Sequence, residues 1–463
     1  MNAFKIRGVV EGFYGKPWSM EDRMEMIPFL GNHGYNLYIY APKDDSFHRY
    51  RWRETYSYSF MKDFEKLVKT GEKSGVEVAF AISPGLSIVH SDPEELRTIV
   101  EKYLSFAKLG VRSFCLFYDD IPPSLSPEDA EKFGNLAEAQ IYFANSVYEE
   151  LKKNLENTLF IVCPTEYCTN YDTPYLRKYG EKLNPEIHIF WTGPECCSKD
   201  IPESDAIMIS KTIKRKPLYW DNYPVNDSYM VPELHIGPYT GRAPELVNYS
   251  AGLLLNPMNL PEASKVVLAA ASRFLLDPYN YNAEKAWEEA LEEIFGEAHE
   301  EAKHFALCNL TSPLYPEEPE ITKEIVEKFH GLFKMGKFDE AIEHLKNEAE
   351  KFIKNAEKLR ENISRKMLRD IEPWLKEYEA WGKILGFIVK VLEVRKVLYT
   401  EKFKKEDLYK IKEAILALQK HLSELTGQNT LCCGSALRDF AMEVLVRTKG
   451  ILKLFDYTTP SSS

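Results

Sequence analysis

The stretch Ser113–Pro123 reads SFCLFYDDIPP, an apolar run that ends in two adjacent aspartates and a pair of prolines. A run of aromatic and aliphatic residues without polar interruption is typical of a β-strand buried on both faces of a parallel sheet. Proline and polar residues end such a strand, because proline has no N–H to donate to a neighbouring strand. The stretch therefore predicts a strand over residues 113–118, with Asp119 and Asp120 at its carboxyl end.

The same pattern recurs through the first 280 or so residues, with a helix-like stretch after each run. The segments Asp92–Leu109 and Pro127–Asn154 are two such predicted helices, since their apolar residues recur at helical spacing. The strand-like runs are IRGVV (6–10), NLYIY (36–40), EVAFAI (77–82), SFCLFY (113–118), LFIVC (159–163), IHIFW (187–191), PLYW (217–220) and GLLL (252–255). Eight such units predict an α/β protein with a (β/α)8 TIM barrel, a fold that typically takes about 250 residues. A doubly wound open sheet is the alternative, but no glycine-rich phosphate loop follows the first run.

From about residue 282 the chain consists of charged amphipathic segments with almost no strand-like runs. This pattern predicts an all-α helical bundle after the barrel, and no sustained period indicates a repeat array. The predicted domains are a barrel over residues 1–280, a helical bundle over 281–457 and a tail over 458–463. The predicted helices are Asn282–Phe295, Ile321–Phe333, Phe338–Ile363, Met367–Val397, Glu406–Leu425 and Ser435–Phe455, with turns at Gly336 and Thr426–Gly427 and a kink or helix start at Pro373.

Charge and cysteine content argue against several classes of protein. The formal net charge of −12 disfavours binding to nucleic acid or to an anionic membrane, since both require a positive footprint. No apolar stretch has the length of a signal peptide or a membrane span, so we expect a cytoplasmic protein. The eight cysteines include the adjacent pairs Cys196–Cys197 and Cys432–Cys433 and do not follow zinc-finger spacing. They are expected to be buried free thiols, with intracellular disulfides as the alternative.

The active site of a TIM barrel is built at the carboxyl ends of its strands. Here these ends carry carboxylates, amides, tyrosines, tryptophans and a lysine, but no cluster of His and Cys, so we expect neither a metal nor a cofactor. Polar residues at one strand end often only cap the following helix. The joint content of all eight ends favours a sugar site, because a carboxylic acid can protonate a glycosidic oxygen while amides and carboxylates bind hydroxyls.

Asp119 and Asp120 are unusual as a catalytic pair because neighbouring residues of an extended strand point to opposite faces. They would diverge unless the backbone bends, whereas an acid and an enzyme nucleophile have to flank one bond about 5 Å apart. A division of labour fits better. One aspartate would serve the leaving group, and the other would support a 2-acetamido group whose carbonyl oxygen attacks the anomeric carbon.

Seven motifs in order along the barrel resemble one known family. They are GVVEGFYGKPWS (8–19), YIYAPKDD (38–45), FYDDIPPSL (117–125), CPTEYC (163–168), WTGP (191–194), WDNYPVND (220–227) and LLNP (254–257). This set resembles the β-N-acetylglucosaminidases of glycoside hydrolase family 84, which contains the O-GlcNAcases and bacterial hyaluronidase-type hexosaminidases. The resemblance covers roughly residues 7–257.

The resemblance implies a role for each matching residue. Asp119 would polarise the 2-acetamido nitrogen, and Asp120 would act first as general acid and then as general base. The implied substrate-binding residues are Tyr167 on the acetamido oxygen, Trp220 on its methyl group, Asn222 beside the acetamido group and the glycosidic linkage, Gly12 and Lys43 on ring hydroxyls, Asp227 and Asn256 on the 4- and 6-hydroxyls, and Tyr14 in the pocket floor.

The resemblance implies a retaining exo-β-N-acetylglucosaminidase with an oxazoline intermediate, able to remove O-GlcNAc from Ser or Thr of proteins. A hexosaminidase acting on glycan or glycosaminoglycan oligosaccharides is the alternative substrate class. A non-catalytic carbohydrate-binding or scaffold protein is the alternative from another functional class. A Schiff-base role for Lys43 is disfavoured, because the carboxylates beside it favour the charged form of the lysine. The implied partners are a GlcNAc-bearing glycoconjugate or glycoprotein and, through the C-terminal helices, a second copy in a homodimer.

Overall fold

A computed structural model describes residues 3–398, 404–425, 427 and 429–458 of the chain. The described residues form two compact units, each with more contacts within itself than to the other. One unit comprises the residues up to 228 together with 238–290, and the other comprises 229–237 together with the residues from 291 onward. The predicted domain limits at 280 and 457 stay predictions.

The first unit contains a closed barrel of eight parallel strands, each paired with the next in sequence and the last paired with the first. The strands are β1 Ile6–Glu11, β2 Leu37–Tyr40, β3 Glu77–Ile82, β4 Ser113–Phe117, β5 Leu159–Cys163, β6 His188–Trp191, β7 Leu218–Pro224 and β8 Gly252–Asn256. All eight lie within two residues of the predicted runs at their start. The TIM barrel predicted from the apolar runs is confirmed.

The interior of the barrel is filled with side chains. Val10, Ile39, Ala81, Ile161 and Leu254 come from different strands, are essentially inaccessible to solvent and form one apolar cluster. A TIM barrel packed in this way is a solid core and not a channel, so its chemistry is confined to the rim of strand ends and their loops.

Helices cover the outside of the strands. They are α1 Met20–Asn32, α2 Tyr58–Ser74, α3 Pro93–Ala107, α4 Pro127–Phe133, α5 Leu136–Asn154, α6 Pro174–Lys182, α7 Glu203–Ile213, α8 Leu246–Tyr249 and α9 Pro261–Leu276. The single helix predicted over Pro127–Asn154 is wrong, because the structure has two helices there. Gly134 adopts a left-handed conformation that ends α4, and the Asn135 side chain accepts a hydrogen bond from the Glu138 amide to begin α5.

The rest of the described chain is helical. The helices are α10 Ala283–Phe295, α11 His299–Cys308, α12 Glu320–Lys334, α13 Phe338–Asn362, α14 Arg365–Leu398, α15 Lys405–Leu425 and α16 Ala436–Thr458. Six of them match the predicted segments closely, whereas α11 was not predicted. Pro373 lies inside α14 and does not start it. The predicted turn at Thr426 and the tail from residue 459 lie outside the described residues.

Two features of the described residues bear on partners. None of the helices found there is long and apolar enough to cross a bilayer. Nor do three or more His, Cys, Asp or Glu side chains in that part of the chain come together in a way that could hold a metal ion. The cytoplasmic location stays a prediction.

Candidate active site

The backbone turns sharply where β4 ends. Phe117 is the last residue of the strand, and Asp120 has a φ of 53°, in the left-handed region that residues with a side chain rarely adopt. This bend supplies the change of direction that an extended strand lacks. The carboxylates of Asp119 and Asp120 therefore serve one pocket, although they are neighbours in sequence.

The Asp119 carboxylate is buried, with 5% of the residue exposed. Its Oδ2 atom forms an ion pair with the ammonium of Lys43, which is itself almost fully buried. Its Oδ1 atom is also buried and has no hydrogen-bond partner among the described residues. A buried carboxylate oxygen is costly to leave unpaired, so Asp119 is prepared to accept a hydrogen bond from a ligand.

Asp120 is exposed at the mouth of the pocket, and two tyrosines bind its carboxylate. The hydroxyl of Tyr14 donates to Oδ2 over 3.0 Å, and the hydroxyl of Tyr167 donates to Oδ1 over 2.7 Å. Burial and the nearby Asp120 charge raise the pKa of both tyrosines above the ordinary value. Both hydroxyls consequently stay protonated near neutral pH and remain hydrogen-bond donors.

Arg49 stabilises the bend after β4. It was not identified as a site residue from the sequence. Its Nη2 atom donates to the main-chain carbonyl of Asp120 over 2.8 Å, and its Nη1 atom donates to the Ser83 hydroxyl over 3.1 Å. The side chain is buried, and its two hydrogen bonds hold the loops that carry Ser83 and Asp120 in place. No local motif marks Arg49, since its partners lie on the loops after β3 and β4.

Trp220, on β7, forms a wall of the pocket. Its ring packs against Phe117 and Phe190, with ring centroids 5.2 and 5.3 Å apart, and the Lys43 ammonium lies 5.5 Å from its centroid. A Cβ added to Gly12 would lie 2.2 Å from Trp220 Cζ2. The absence of a side chain at Gly12 therefore allows its backbone to lie directly against the indole ring.

Two amides link the ends of β7 and β8 to β1. The Asn222 Oδ1 atom accepts hydrogen bonds from Trp220 Nε1 over 2.8 Å and from Asn256 Nδ2 over 3.0 Å. The Asn256 Oδ1 atom in turn accepts from the Gly12 amide over 3.2 Å. These bonds fix which end of each amide faces its neighbour, and they orient Trp220.

Asp227 lies in the loop after β7 and binds the first loop of the barrel. Its Oδ2 atom accepts from the Tyr14 amide over 2.7 Å. Burial and the charge of Asp120 raise the pKa of Asp227, whereas the Tyr14 amide and Lys43 act against that rise.

The structure brings all ten predicted site residues to the carboxyl ends of the strands. Their individual roles stay predictions.

Other polar residues at the strand ends have structural partners. Glu11 is fully buried and forms a two-pronged ion pair with Arg23, at 2.8 and 2.7 Å. Asp45 accepts from the hydroxyls of Tyr40 and Tyr56, at 2.7 and 2.6 Å. These carboxylates hold helices and loops in place, and neither is offered to a ligand.

The arrangement combines a buried carboxylate paired with a lysine, an accessible carboxylate between two tyrosines, and an aromatic wall flanked by amides. The accessible carboxylate can exchange a proton with a ligand. The buried one can bind an N–H and stabilise positive charge that develops next to it. Such a site suits bond cleavage in a polar ligand that carries an amide.

Comparisons with known proteins agree with this chemistry. Residues 7–307 match the family model described as beta-N-acetylglucosaminidase. Over 267 residues, the chain is 43% identical to the Protein O-GlcNAcase of Rattus norvegicus and equally to that of Mus musculus. Each match covers 56% of this chain and 29% of the mammalian protein, so the chain spans less than a third of those relatives.

Two solved structures are similar along nearly the whole chain. A mutant of the O-GlcNAc hydrolase of Thermobaculum terrenum is 36% identical, with a TM-score of 0.93 and coverage of 99% of this chain and 98% of that one. CpGH84B is 30% identical, with a TM-score of 0.81 and coverage of 95% and 77%. The similarity therefore includes the helical residues after the barrel.

Proposed function

The chain belongs to the β-N-acetylglucosaminidase family, and from that membership we propose that it is a retaining exo-glycosidase that releases terminal β-linked N-acetylglucosamine. In this proposal the nucleophile is the carbonyl oxygen of the substrate's own 2-acetamido group. The products of the first step are an oxazoline and the free aglycone, and water opens the oxazoline in the second step. No cofactor is required by this chemistry.

The observation that supports this proposal best is the state of Asp119. Its Oδ1 atom is buried and has no partner in the described part of the chain, while Oδ2 is held by Lys43. An acetamido N–H placed against Oδ1 would satisfy that acceptor. The same carboxylate would then stabilise the positive charge that spreads over the oxazoline ring as the carbonyl oxygen attacks.

Asp120 is proposed as the group that moves the proton. In the structure both of its carboxylate oxygens accept hydrogen bonds from tyrosine hydroxyls. If Tyr167 turns to the acetamido oxygen when substrate binds, Oδ1 is freed to hold the proton that the glycosidic oxygen receives. Asp120 would afterwards take a proton from the attacking water, since one residue serves as acid and then as base.

The remaining residues are proposed to bind the sugar. Trp220 and Asn222 would enclose the acetamido group, and Tyr14 would form part of the pocket floor. The Gly12 carbonyl, Lys43, Asp227 and Asn256 would bind ring hydroxyls. The position of these residues supports the proposed binding roles, since the hydrogen bonds and ring contacts described above join them at one end of the barrel.

We propose that the aglycone is a Ser or Thr residue of a protein, because the similar proteins include an O-GlcNAc hydrolase and two O-GlcNAcases. Glycan or glycosaminoglycan oligosaccharides are the second substrate class. Both classes present the same sugar to Asp119 and Asp120. A non-catalytic carbohydrate-binding protein is disfavoured, since both aspartates and their supporting contacts are in place.

Dependence on the acetamido group is the first prediction. The chain should hydrolyse 4-nitrophenyl β-N-acetylglucosaminide, and the matching β-glucoside should react more slowly by at least about 10³-fold, since intramolecular attack accounts for a large part of the barrier reduction. The measurement is kcat/KM for both substrates by release of nitrophenolate. Equal cleavage of the two would rule out substrate assistance.

The two aspartates should respond differently to the leaving group. Asp120→Asn should lower kcat/KM by about 10²–10⁴-fold on substrates that need protonation, and should be largely rescued on activated aryl glycosides. Asp119→Asn should be impaired on both, because its role does not involve the leaving group. The readout is a plot of log kcat/KM against leaving-group pKa for each variant.

Asp44→Asn is the matched control for these variants, since Asp44 is an exposed carboxylate next to Lys43 and accepts a hydrogen bond from the Gly15 amide. It should follow the unmodified chain. Parallel plots for the Asp119 and Asp120 variants would show that the two roles are assigned wrongly.

The aglycone is tested with natural linkages. We expect GlcNAc release from a peptide that carries serine-linked GlcNAc to exceed release from chitin- or hyaluronan-derived oligosaccharides, measured as kcat/KM by chromatography of the free sugar. Faster cleavage of an oligosaccharide would favour the second substrate class and leave the catalytic assignment intact.

Pairing of two chains through the C-terminal helices is proposed as well. Sedimentation equilibrium at micromolar concentration should give twice the chain mass of 53.6 kDa. A single species of monomer mass would contradict it.

A further inference from the structure

Two adjacent thiols lie at the same rim as the candidate active site. Cys196 and Cys197 follow β6, and Cys196 is exposed while Cys197 is half-buried. All eight cysteines belong to the described part of the chain and are free thiols. The prediction that the cysteines are buried therefore fails at Cys196, and Cys168 and Cys197 are only partly buried.

The Cys196 thiol is in contact with two residues of the proposed acetamido pocket. Its sulfur lies 3.9 Å from the Tyr167 hydroxyl and 3.6 Å from Asn222 Nδ2. Its main-chain carbonyl accepts a second hydrogen bond from the same Asn222 amide, over 2.8 Å. Any group attached to this sulfur would lie beside the atoms that we propose to hold the substrate.

The surroundings of Cys196 also favour a reactive thiolate. A hydrogen bond from the Cys197 thiol is the largest cause that lowers the pKa of Cys196, and a hydrogen bond from Asn222 lowers it further. Burial and the charge of Asp120 oppose this shift. The same hydrogen bond raises the pKa of Cys197, so Cys197 remains the protonated donor of the pair. The thiolate form is the nucleophile in thiol chemistry.

The other thiols of the barrel unit lack this combination. Cys115 and Cys163 are buried, and burial raises the pKa of each well above its ordinary value. Cys168 is half-buried, and burial raises its pKa as well. Exposure, a lowered pKa and contact with the pocket coincide at Cys196.

We propose that Cys196 is a modification site for small disulfides and that its modification closes the active site. The thiolate sulfur attacks one sulfur of the disulfide, a new sulfur–sulfur bond forms, and the old one breaks. The second half of the reagent leaves as a thiolate and takes up the proton released by Cys196. The adduct follows from the contacts of Cys196, whereas the loss of activity rests on the proposed function.

Cystamine is a suitable probe, because it is a small disulfide whose two ammonium groups suit a pocket that contains Asp119, Asp120 and Asp227. Treatment at neutral pH should add one cysteamine to Cys196, detected by tandem mass spectrometry of a non-reduced digest. Hydrolysis of 4-nitrophenyl β-N-acetylglucosaminide should fall by at least about tenfold and return after reduction with dithiothreitol.

Two variants locate the effect. Cys196→Ser, compared with its own untreated rate, should gain no cysteamine at position 196 and should keep its activity after treatment. Cys168→Ala is the matched control, since it removes the neighbouring half-buried thiol, and it should be inactivated like the unmodified chain.

Several outcomes would overturn the proposal. These are no adduct at Cys196, an adduct there with full activity, or inactivation that persists in Cys196→Ser. If the untreated chain releases no N-acetylglucosamine, the proposed function fails by itself. The rate of adduct formation at Cys196 relative to Cys168 then still decides whether the reactive thiol exists, and equal rates would refute it.

Discussion

Closure of the barrel by hydrogen bonds between β1 and β8 is the constraint on which the site depends. The pairing sets Ile6 opposite Gly252 and Val9 opposite Leu255. A Cβ at Gly252 would lie 2.3 Å from the Ile6 carbonyl oxygen, so the close approach requires glycine there. Closure brings Gly12 and Asn256 into hydrogen-bond contact although they are 244 residues apart in sequence. The amides that orient Trp220 depend on this contact.

The bend after β4 turns this general scaffold into a specific site. A strand that stayed extended through Asp120 would send the two carboxylates to opposite faces. The structure places Asp120 in a left-handed conformation, and Arg49 binds the carbonyl group of that residue. Backbone conformations of this kind cost of order 1–3 kcal/mol and persist where the surroundings enforce them. The buried Arg49 guanidinium, which is hydrogen-bonded to the Asp120 carbonyl, holds the backbone in this conformation.

The sequence predicts most of the fold because buried parallel strands leave a strong local signal. Each of the eight runs is four to six residues long and mostly apolar, and each became a strand. The break between α4 and α5 was missed, since Gly134 and Asn135 interrupt a segment whose apolar spacing continues across them. The site residues were located by strand order and family resemblance. Arg49 was missed as a pocket neighbour because its contacts are set by tertiary structure and not by local pattern.

Adjacency of the two aspartates fits a mechanism in which neither of them is the nucleophile. An enzyme nucleophile would have to approach the anomeric carbon from the face opposite the acid, and residues 119 and 120 share one strand end. In the proposed mechanism the acetamido oxygen makes that approach, so Asp119 has to reach only the amide N–H. Its burial against Lys43 keeps the carboxylate fixed and shielded from water, where its charge acts strongly on the developing oxazoline. Asp120 lies further out, in contact with solvent, where a residue that exchanges protons with the leaving group and with water has to be.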